Sequence, residues 1–396
     1  MRAILEAATT HVQRSVVTIG IIATLIGCSA IPTCPPGQAQ PAKLRYEAAK
    51  WSQLPGWDKD ELKDAWPALL QSCSAIGVRT EWSSACAAAR SALIATSGDA
   101  RTFFETYFEP YAVIEQSGSH RRDAGLITAY YEPLLRGARE ASAQFAVPLY
   151  APPPDLLTVE LDSMYPELKG KRVRGRLQGH TVVPYFSRAE LAADPSLHGN
   201  EIVWVADALD AFLLEVQGSG RVQLPTGETI RVRYADENGQ PYHSIGRYLV
   251  DRGELPLAAA DLAGIRQWAA EHPDRLQELL DANPSVVFFR ADALTNPEEG
   301  PKGALGVPLT PGRSIAVDRA FLPLGAPMFL ATLQPGSTTP LEHLVLAQDT
   351  GGAIRGPVRA DLFWGTGSAA AEQAGRMRES GRLWLLWPKD APPPAH

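Results

Sequence analysis

The sequence predicts a mainly β fold with helices, on three observations. Short apolar stretches alternate with a period of two from about residue 125 to 250, and strands resume from 285 to 390. Turn chemistry such as Pro225-Thr226-Gly227 and Asn238-Gly239 punctuates them. Residues 57–115, by contrast, have an Ala-rich helical texture.

The N-terminus is set aside before the fold is read. Arg2 and Arg14 give a positive start, and residues 15–27 form an apolar run of about 13 residues. That is a secretory-signal length and too short to cross a bilayer, which needs about 20. The run ends in Leu25-Ile26-Gly27-Cys28, the pattern read by lipoprotein processing, so residues 1–27 are expected to be removed and Cys28 acylated. Ser29 after the cysteine favours the outer membrane over the inner one. Residues 28–42, rich in Pro, Gly, Gln and Ala, read as a lipidated tether. About 350 residues follow, enough for two domains with full cores.

The formal net charge is -7, and the signal carries two Arg and one Glu, so the processed chain stands near -8. That argues against nucleic acid as a partner and leaves a largely neutral glycan open. Cys34 lies in the tether; Cys73 and Cys86 sit 13 apart in a helical region and are candidates for a disulfide in an oxidising compartment. No phosphate loop, dinucleotide fingerprint or metal-ligand spacing is present, and the histidines are scattered, so neither metal nor cofactor is expected.

Along the chain, Asp58 and Asp60 are placed to cap or charge the first helix, and Phe103, Phe104, Tyr107 and Phe108 recur at helical spacing as a core stripe. Residues 201–206, 213–217, 221–224 and 229–234 read as strands of an antiparallel unit of barrel type. A helix is expected over 258–281. Strands follow at 286–289, 315–317, 328–330 and 344–347, then a helix at about 368–379 and a last strand at 383–387.

The densest polar and glycine cluster runs from Gln348 to Gly356 and on through Arg359-Ala360-Asp361-Leu362-Phe363-Trp364-Gly365. Two aspartates, Asp349 and Asp361, flank a glycine-rich connection that lets backbone turn sharply near a ligand. Asp318 ends another strand, so three acids could meet in one pocket; they could equally be turn and cap residues. The triplet Asp349-Thr350-Gly351 also occurs in aspartic proteases, which need it twice; here it occurs once.

The stretch from Ala347 to Gly365 resembles the three-aspartate domain of the membrane-bound lytic murein transglycosylase A family. Thr128-Ala129-Tyr130-Tyr131-Glu132-Pro133, Val216-Gln217-Gly218-Ser219-Gly220, Ser244-Ile245-Gly246-Arg247 with Asp251-Arg252-Gly253-Glu254, and Asn283-Pro284-Ser285-Val286-Val287-Phe288-Phe289 resemble further family blocks, in the family's order from about 120 to the C-terminus. The resemblance implies a double-psi β-barrel catalytic domain built from residues 43–130 plus 291–396, a second small β-barrel domain inserted at 131–290, and a groove between them for a glycan strand. It also implies cleavage of the β-1,4 bond between N-acetylmuramic acid and N-acetylglucosamine without water, leaving a 1,6-anhydro end.

An ordinary glycosidase needs two carboxylates. In the reaction that the resemblance implies, the sugar's own C6 hydroxyl attacks, so one carboxyl can act as acid and then as base. Asp361 matches the family's catalytic residue, and burial or a second negative charge would keep it protonated. Asp349 could supply that charge or orient Asp361; Asp318 would be the third acid, catalytic or structural. Tyr131, Gln217, Ser219 and Trp364 are the glycan-binding candidates, each with a packing or turn role as the alternative. Arg355 and Arg359 could pair with substrate carboxylates or be ordinary exposed charges. The expected setting is the periplasmic face of the outer membrane, as a monomer acting on peptidoglycan glycan strands. A hydrolytic muramidase in the same groove and a non-catalytic wall-binding lipoprotein are the alternatives.

Overall fold

The computed structural model describes residues 43–168, 173–294 and 296–394. The expected signal, Cys28 and the tether lie outside the described residues. After strand β1 (Lys43–Ala48) come three helices, α1 (Trp66–Ile76), α2 (Thr80–Ser91) and α3 (Ser97–Tyr107), preceded by two short 3-10 turns. Thr96 caps α3 through the Asp99 N–H, and the Asp99 side chain accepts from the Thr96 N–H in return. Cys73 and Cys86 form a disulfide that ties α1 to α2.

The helical texture stops earlier than its residue pattern suggests. Residues 108–117 are not helix but strand β2 (Phe108–Ser117), since Pro110 cannot donate within a helix and the segment pairs with β1. Phe103, Phe104 and Phe108 are nonetheless core, packed edge-on and tilted against one another and against Trp66. Asp60 is no helix cap. It is buried and receives Arg313 Nη1 at 2.9 Å and the Leu344 N–H at 2.7 Å.

The chain continues through β3 (His120–Arg122) and β4 (Gly125–Glu132), then leaves for a second body made of β5 (Leu134–Ala138), β6 (Val147–Tyr150), β7 (Leu157–Val159), β8 (Val173–Gln178), β9 (Thr181–Pro184), α4 (Arg188–Ala193), β10 (Glu201–Val205), α5 (Ala208–Gln217), β11 (Ser219–Gln223), β12 (Thr229–Glu237), α6 (Ile245–Asp251), α7 (Leu262–Glu271), α8 (Leu276–Asp281) and β13 (Val287–Ala293). Six of these strands form one sheet in the order β13-β12-β11-β5-β10-β6, and β7-β8-β9 form another. Its pairing is not wholly antiparallel, since β11 runs parallel to β5.

Two sequence expectations change here. Residues 213–217 are the end of helix α5, not a strand. Asp207 caps the helix, Leu209, Phe212 and Leu214 bury one face, and Gly218 ends it at φ 78°. A short apolar run has no period that separates strand from buried helix. The helix expected over 258–281 is two helices, α7 and α8, broken at Pro273.

The chain then returns through β14 (Ser314–Val317), β15 (Pro327–Leu333), β16 (Pro340–Asp349), β17 (Ala360–Thr366), helix α9 (Gly367–Arg376) and β18 (Arg378–Pro388). Among the described residues the first sheet runs β1-β2-β18-β15-β16-β14-β17-β4, and β4 pairs again with β18. That second pairing closes six strands into a ring, the barrel the family resemblance implies, and leaves β1 and β2 as a flap on β18. The ring's apolar side chains, among them Ile127, Met328, Leu346 and Leu362, share one core with α1, α2 and α3. No helix among the described residues is long and apolar enough to cross a membrane.

Asp60 and Arg313 join the N-terminal segment to the barrel with side chains only 1% and 7% exposed. Asp60→Ala strands the buried guanidinium, so we expect a loss of about 3–5 kcal/mol in urea unfolding. A loss below about 1 kcal/mol would mean the pair adds nothing to the junction.

Candidate active site

Strand β4 carries the site on one of its faces. Successive side chains of a strand point to opposite sides, so Thr128, Tyr130 and Glu132 line up together. β4 runs parallel to β17, and the register sets Thr128 opposite Asp361 and Tyr130 opposite Phe363. On the other side of β17 lies β14, whose Ala316 pairs with Asp361 and also, across its second neighbour β16, with Asp349. The two aspartates therefore flank one residue of β14, no more than about 10 Å apart by strand spacing.

Asp361 accepts a hydrogen bond from the Thr128 hydroxyl on Oδ1. Burial pushes its carboxyl above the usual aspartate range, and the nearby Asp349 charge adds to that; the Thr128 bond and the Arg359 charge pull the other way. Asp349 is also raised by burial, against three hydrogen bonds that favour its charged form. Its Oδ2 accepts from the Tyr130 hydroxyl at 2.8 Å, and its Oδ1 from the N–H groups of Ala304 and Thr350 at 2.8 and 2.9 Å. None of these bonds reaches Asp361, so Asp349 acts on it through charge and not by orienting it. Half-buried Tyr130, beside both acids, has its hydroxyl pushed well above its ordinary value by desolvation and the Asp349 charge, so it keeps the proton it donates to Asp349.

Asp318 lies at the end of β14 with both oxygens taken by backbone, Oδ1 by the Ala320 N–H at 3.1 Å and Oδ2 by the Gly356 N–H at 2.9 Å. The third aspartate thus pins the loop that joins Asp349 to Asp361. The same loop lies against the start of β4, where Gly125 is required: a Cβ there would sit 1.7 Å from the Val358 carbonyl oxygen. Arg359, at the loop's end, points inward. Its Nη2 donates to Thr128 Oγ1 at 2.8 Å, and its Nη1 donates to the carbonyls of Leu126 and Ala360. It is neither an exposed charge nor an open hand for substrate. Arg355 is exposed on the loop.

The glycan-binding candidates fall on the other face of β4 and beside it. The Tyr131 N–H donates to Gln217 Oε1 at 3.1 Å, bringing those two together. The Tyr131 ring is 6% exposed and packs with Ala370 and Ala374 of α9, with half-buried Trp364 against them. Burial raises the Tyr131 hydroxyl, and a hydrogen bond from Arg266 opposes that. Gln217 ends α5, and half-buried Ser219 opens β11 opposite Arg233. Among the described residues no three His, Cys, Asp or Glu side chains gather as a metal-binding group.

Sequence reasoning did not single out Thr128, Tyr130 or Glu132, although all three sit in a motif it noticed. Glu132 is fully buried and accepts from Arg221 Nε at 2.7 Å, Arg231 Nε at 2.8 Å and the Thr366 hydroxyl at 3.0 Å. It therefore ties β4 and β17 to β11 and β12 of the second sheet. The period of two from Thr128 to Glu132 was the available signal.

Residues 126–290 match the family model described as the MltA specific insert domain, and residues 313–387 match the 3D domain. The membrane-bound lytic murein transglycosylase A of Escherichia coli (strain K12) is 31% identical over 272 residues, which span 67% of this chain and 66% of that relative. The crystal structure of MltA from Neisseria gonorrhoeae, monoclinic form, superposes with a TM-score of 0.77 at 34% identity, covering 91% of this chain and 98% of that one. The lytic transglycosylase LtgG of Burkholderia pseudomallei gives a TM-score of 0.60 at 45% identity, covering 88% and 98%.

A carboxyl held above its ordinary value costs stability as pH rises from the normal aspartate range through the raised value, and the whole cost is present above it. Asp361→Asn removes the charge, so calorimetry at neutral pH is expected to find the variant melting about 2–4 °C higher. The gap should close at acid pH, where the carboxyl is protonated in both states. A variant that melts lower at neutral pH would contradict the raised carboxyl.

Proposed function

Since this chain belongs to the MltA family of lytic transglycosylases, we propose that it cleaves the β-1,4 bond between N-acetylmuramic acid and N-acetylglucosamine in peptidoglycan, with Asp361 as acid and then base. The observation that carries the reading is one carboxyl, Asp361, raised above its ordinary value by desolvation and bonded by the Thr128 hydroxyl, beside a second carboxyl already engaged by Tyr130 and two backbone N–H groups.

In the first step protonated Asp361 gives its proton to the leaving glycosidic oxygen. Positive charge grows on the sugar's anomeric carbon, and negative charge on Asp361 and Asp349 favours it. In the second step the C6 hydroxyl of the same sugar attacks that carbon, and the Asp361 carboxylate takes the hydroxyl proton. The ring closes as 1,6-anhydro-N-acetylmuramic acid, and Asp361 is again protonated. No water is consumed, so no second carboxylate is needed to activate one. Asp318 holds the loop between the two aspartates and is not a proton donor in this reading.

For the substrate, we assign the polar edges of Gln217 and Ser219 and the open part of Trp364 to the glycan, with Tyr131 as the packed floor beneath them. Residues 43–130 and 291–396 would form the catalytic body and 131–290 an insert, with the strand lying between. The relatives' name includes "membrane-bound"; with Cys28 acylated, this chain would hang by its lipid on the periplasmic face of the outer membrane, as a monomer without cofactor.

Digestion of purified peptidoglycan, followed by mass spectrometry of the fragments, tests the reading. Soluble protein lacking the lipid is expected to release 1,6-anhydro muropeptides, and Asp361→Asn to slow this by at least ~100-fold. Release should also fall as pH rises through the raised Asp361 value, because the first step needs the protonated acid. Reducing ends instead would make the protein a muramidase. No new ends, with the protein still sedimenting with the wall, would make it a binding module.

A further inference from the structure

We propose that Arg359 and Thr128 form a directional pair that keeps Asp361 Oδ1 an acceptor and so fixes the acid's transferable proton on Oδ2. This rests on the reading of Asp361 as the acid. A guanidinium can only donate, so the 2.8 Å bond between Arg359 Nη2 and Thr128 Oγ1 uses a lone pair of the hydroxyl. The hydroxyl's own proton must then find an acceptor. Among the described residues its acceptor is Asp361 Oδ1. A carboxylic acid has one proton, and an oxygen that is receiving a hydroxyl proton is the wrong place for it. The acid's proton therefore belongs on Oδ2, which has no protein hydrogen-bond partner among the described residues and is open to substrate.

The backbone makes this arrangement hard to lose. Thr128 faces Asp361 through the β4–β17 register, and Arg359 lies two residues before Asp361 with its other nitrogen on the Leu126 and Ala360 carbonyls. Other polar groups around the acid are committed elsewhere. From β16 comes Asp349, bonded to Tyr130 of β4. From β14 comes Asp318, bonded to Ala320 and Gly356. On β18, Arg378 pairs in register with Thr128 but is exposed, and on α9 Glu372 and Arg376 pair with each other at the surface. Arg359 is thus the cation whose charge reaches Asp361.

The pair also serves the second half of the reaction. Once Oδ2 has lost its proton, the carboxylate keeps the Thr128 hydroxyl bond and the Arg359 charge, both of which favour the ionised form. Thr128 and Arg359 act through Asp361 and are positioning residues.

The test follows the Asp361 carboxyl carbon by NMR titration, alongside the pH profile of anhydro-product release. Thr128→Val keeps the shape of the side chain and removes the hydroxyl. The Asp361 midpoint should move upward, the alkaline limb of the profile should move with it, and release should fall roughly 10- to 100-fold at its optimum. Thr128→Ser should restore all three, and Arg359→Gln should move the midpoint in the same direction as Val. A folded Thr128→Val protein with an unmoved midpoint would overturn the proposal, as would failure of Ser to restore it. Should Val not fold, Arg359→Gln with an unmoved midpoint overturns it equally. If the wild-type protein releases no anhydro ends, the functional reading fails on that result, while the titration still decides whether the pair controls the carboxyl.

Discussion

The parallel register of β4 against β17 is the constraint on which the rest depends. It closes the barrel, because β4 also pairs with β18, and it sets Thr128 opposite Asp361. A slip of one residue would turn Thr128, Tyr130 and Glu132 to the other face and bring Ile127, Ala129 and Tyr131 in their place. The site would lose its hydroxyl, its phenol and its anchor to the second sheet together. The register is held by burial on the opposite face, where Ile127 and Tyr131 are nearly inaccessible, and by Gly125, the residue type that fits beneath Val358.

Buried charge appears in two forms with opposite outcomes. Glu132 and Asp60 are buried with guanidinium partners, so their ionised forms are matched and they act as fasteners between segments far apart in sequence. Asp361 has instead a hydroxyl on one oxygen and an arginine that bonds that hydroxyl and reaches the carboxyl itself only as a charge. Burial outweighs both, and its carboxyl stands above the ordinary range. A full ion pair at that position would pull the carboxyl down instead. The large shared core of the barrel and the N-terminal helices supplies the stability against which such an unmatched group can be held. Helix α9 also approaches α7 closely, since a Cβ on Gly375 would lie 3.3 Å from that of Leu262.

Much of this was legible in the sequence, and the failures have physical causes. The barrel strands β14, β15, β16 and β18 and the glycine-rich turn between Asp349 and Asp361 were read from period and composition, and the family blocks supplied the barrel. Leu213 to Gln217 was misread because five apolar and polar residues in a row carry too little period to tell helix from strand. The true signals, Asp207 before and Gly218 after, lie at the helix ends. Residues 108–115 have the texture of helix because the aromatic stripe runs on to Phe108; Pro110 is the stop that it hides. Asp318 was a candidate acid from its place at a strand end and the family resemblance, and only its two backbone partners reveal a clamp. Thr128 was not singled out because its partner Asp361 is 233 residues away, a distance no local pattern spans.

The central claim is that one carboxyl acts twice because the sugar supplies its own nucleophile. Digesting peptidoglycan in water enriched in heavy oxygen tests it most directly, since the oxygen closing each new end must come from either solvent or substrate. The account predicts new muramic ends that carry no heavy oxygen and weigh one water less than hydrolysed ends. Heavy oxygen built into the new ends at the moment of cleavage would contradict it, because water would then be the nucleophile and a second carboxylate would be needed to activate it.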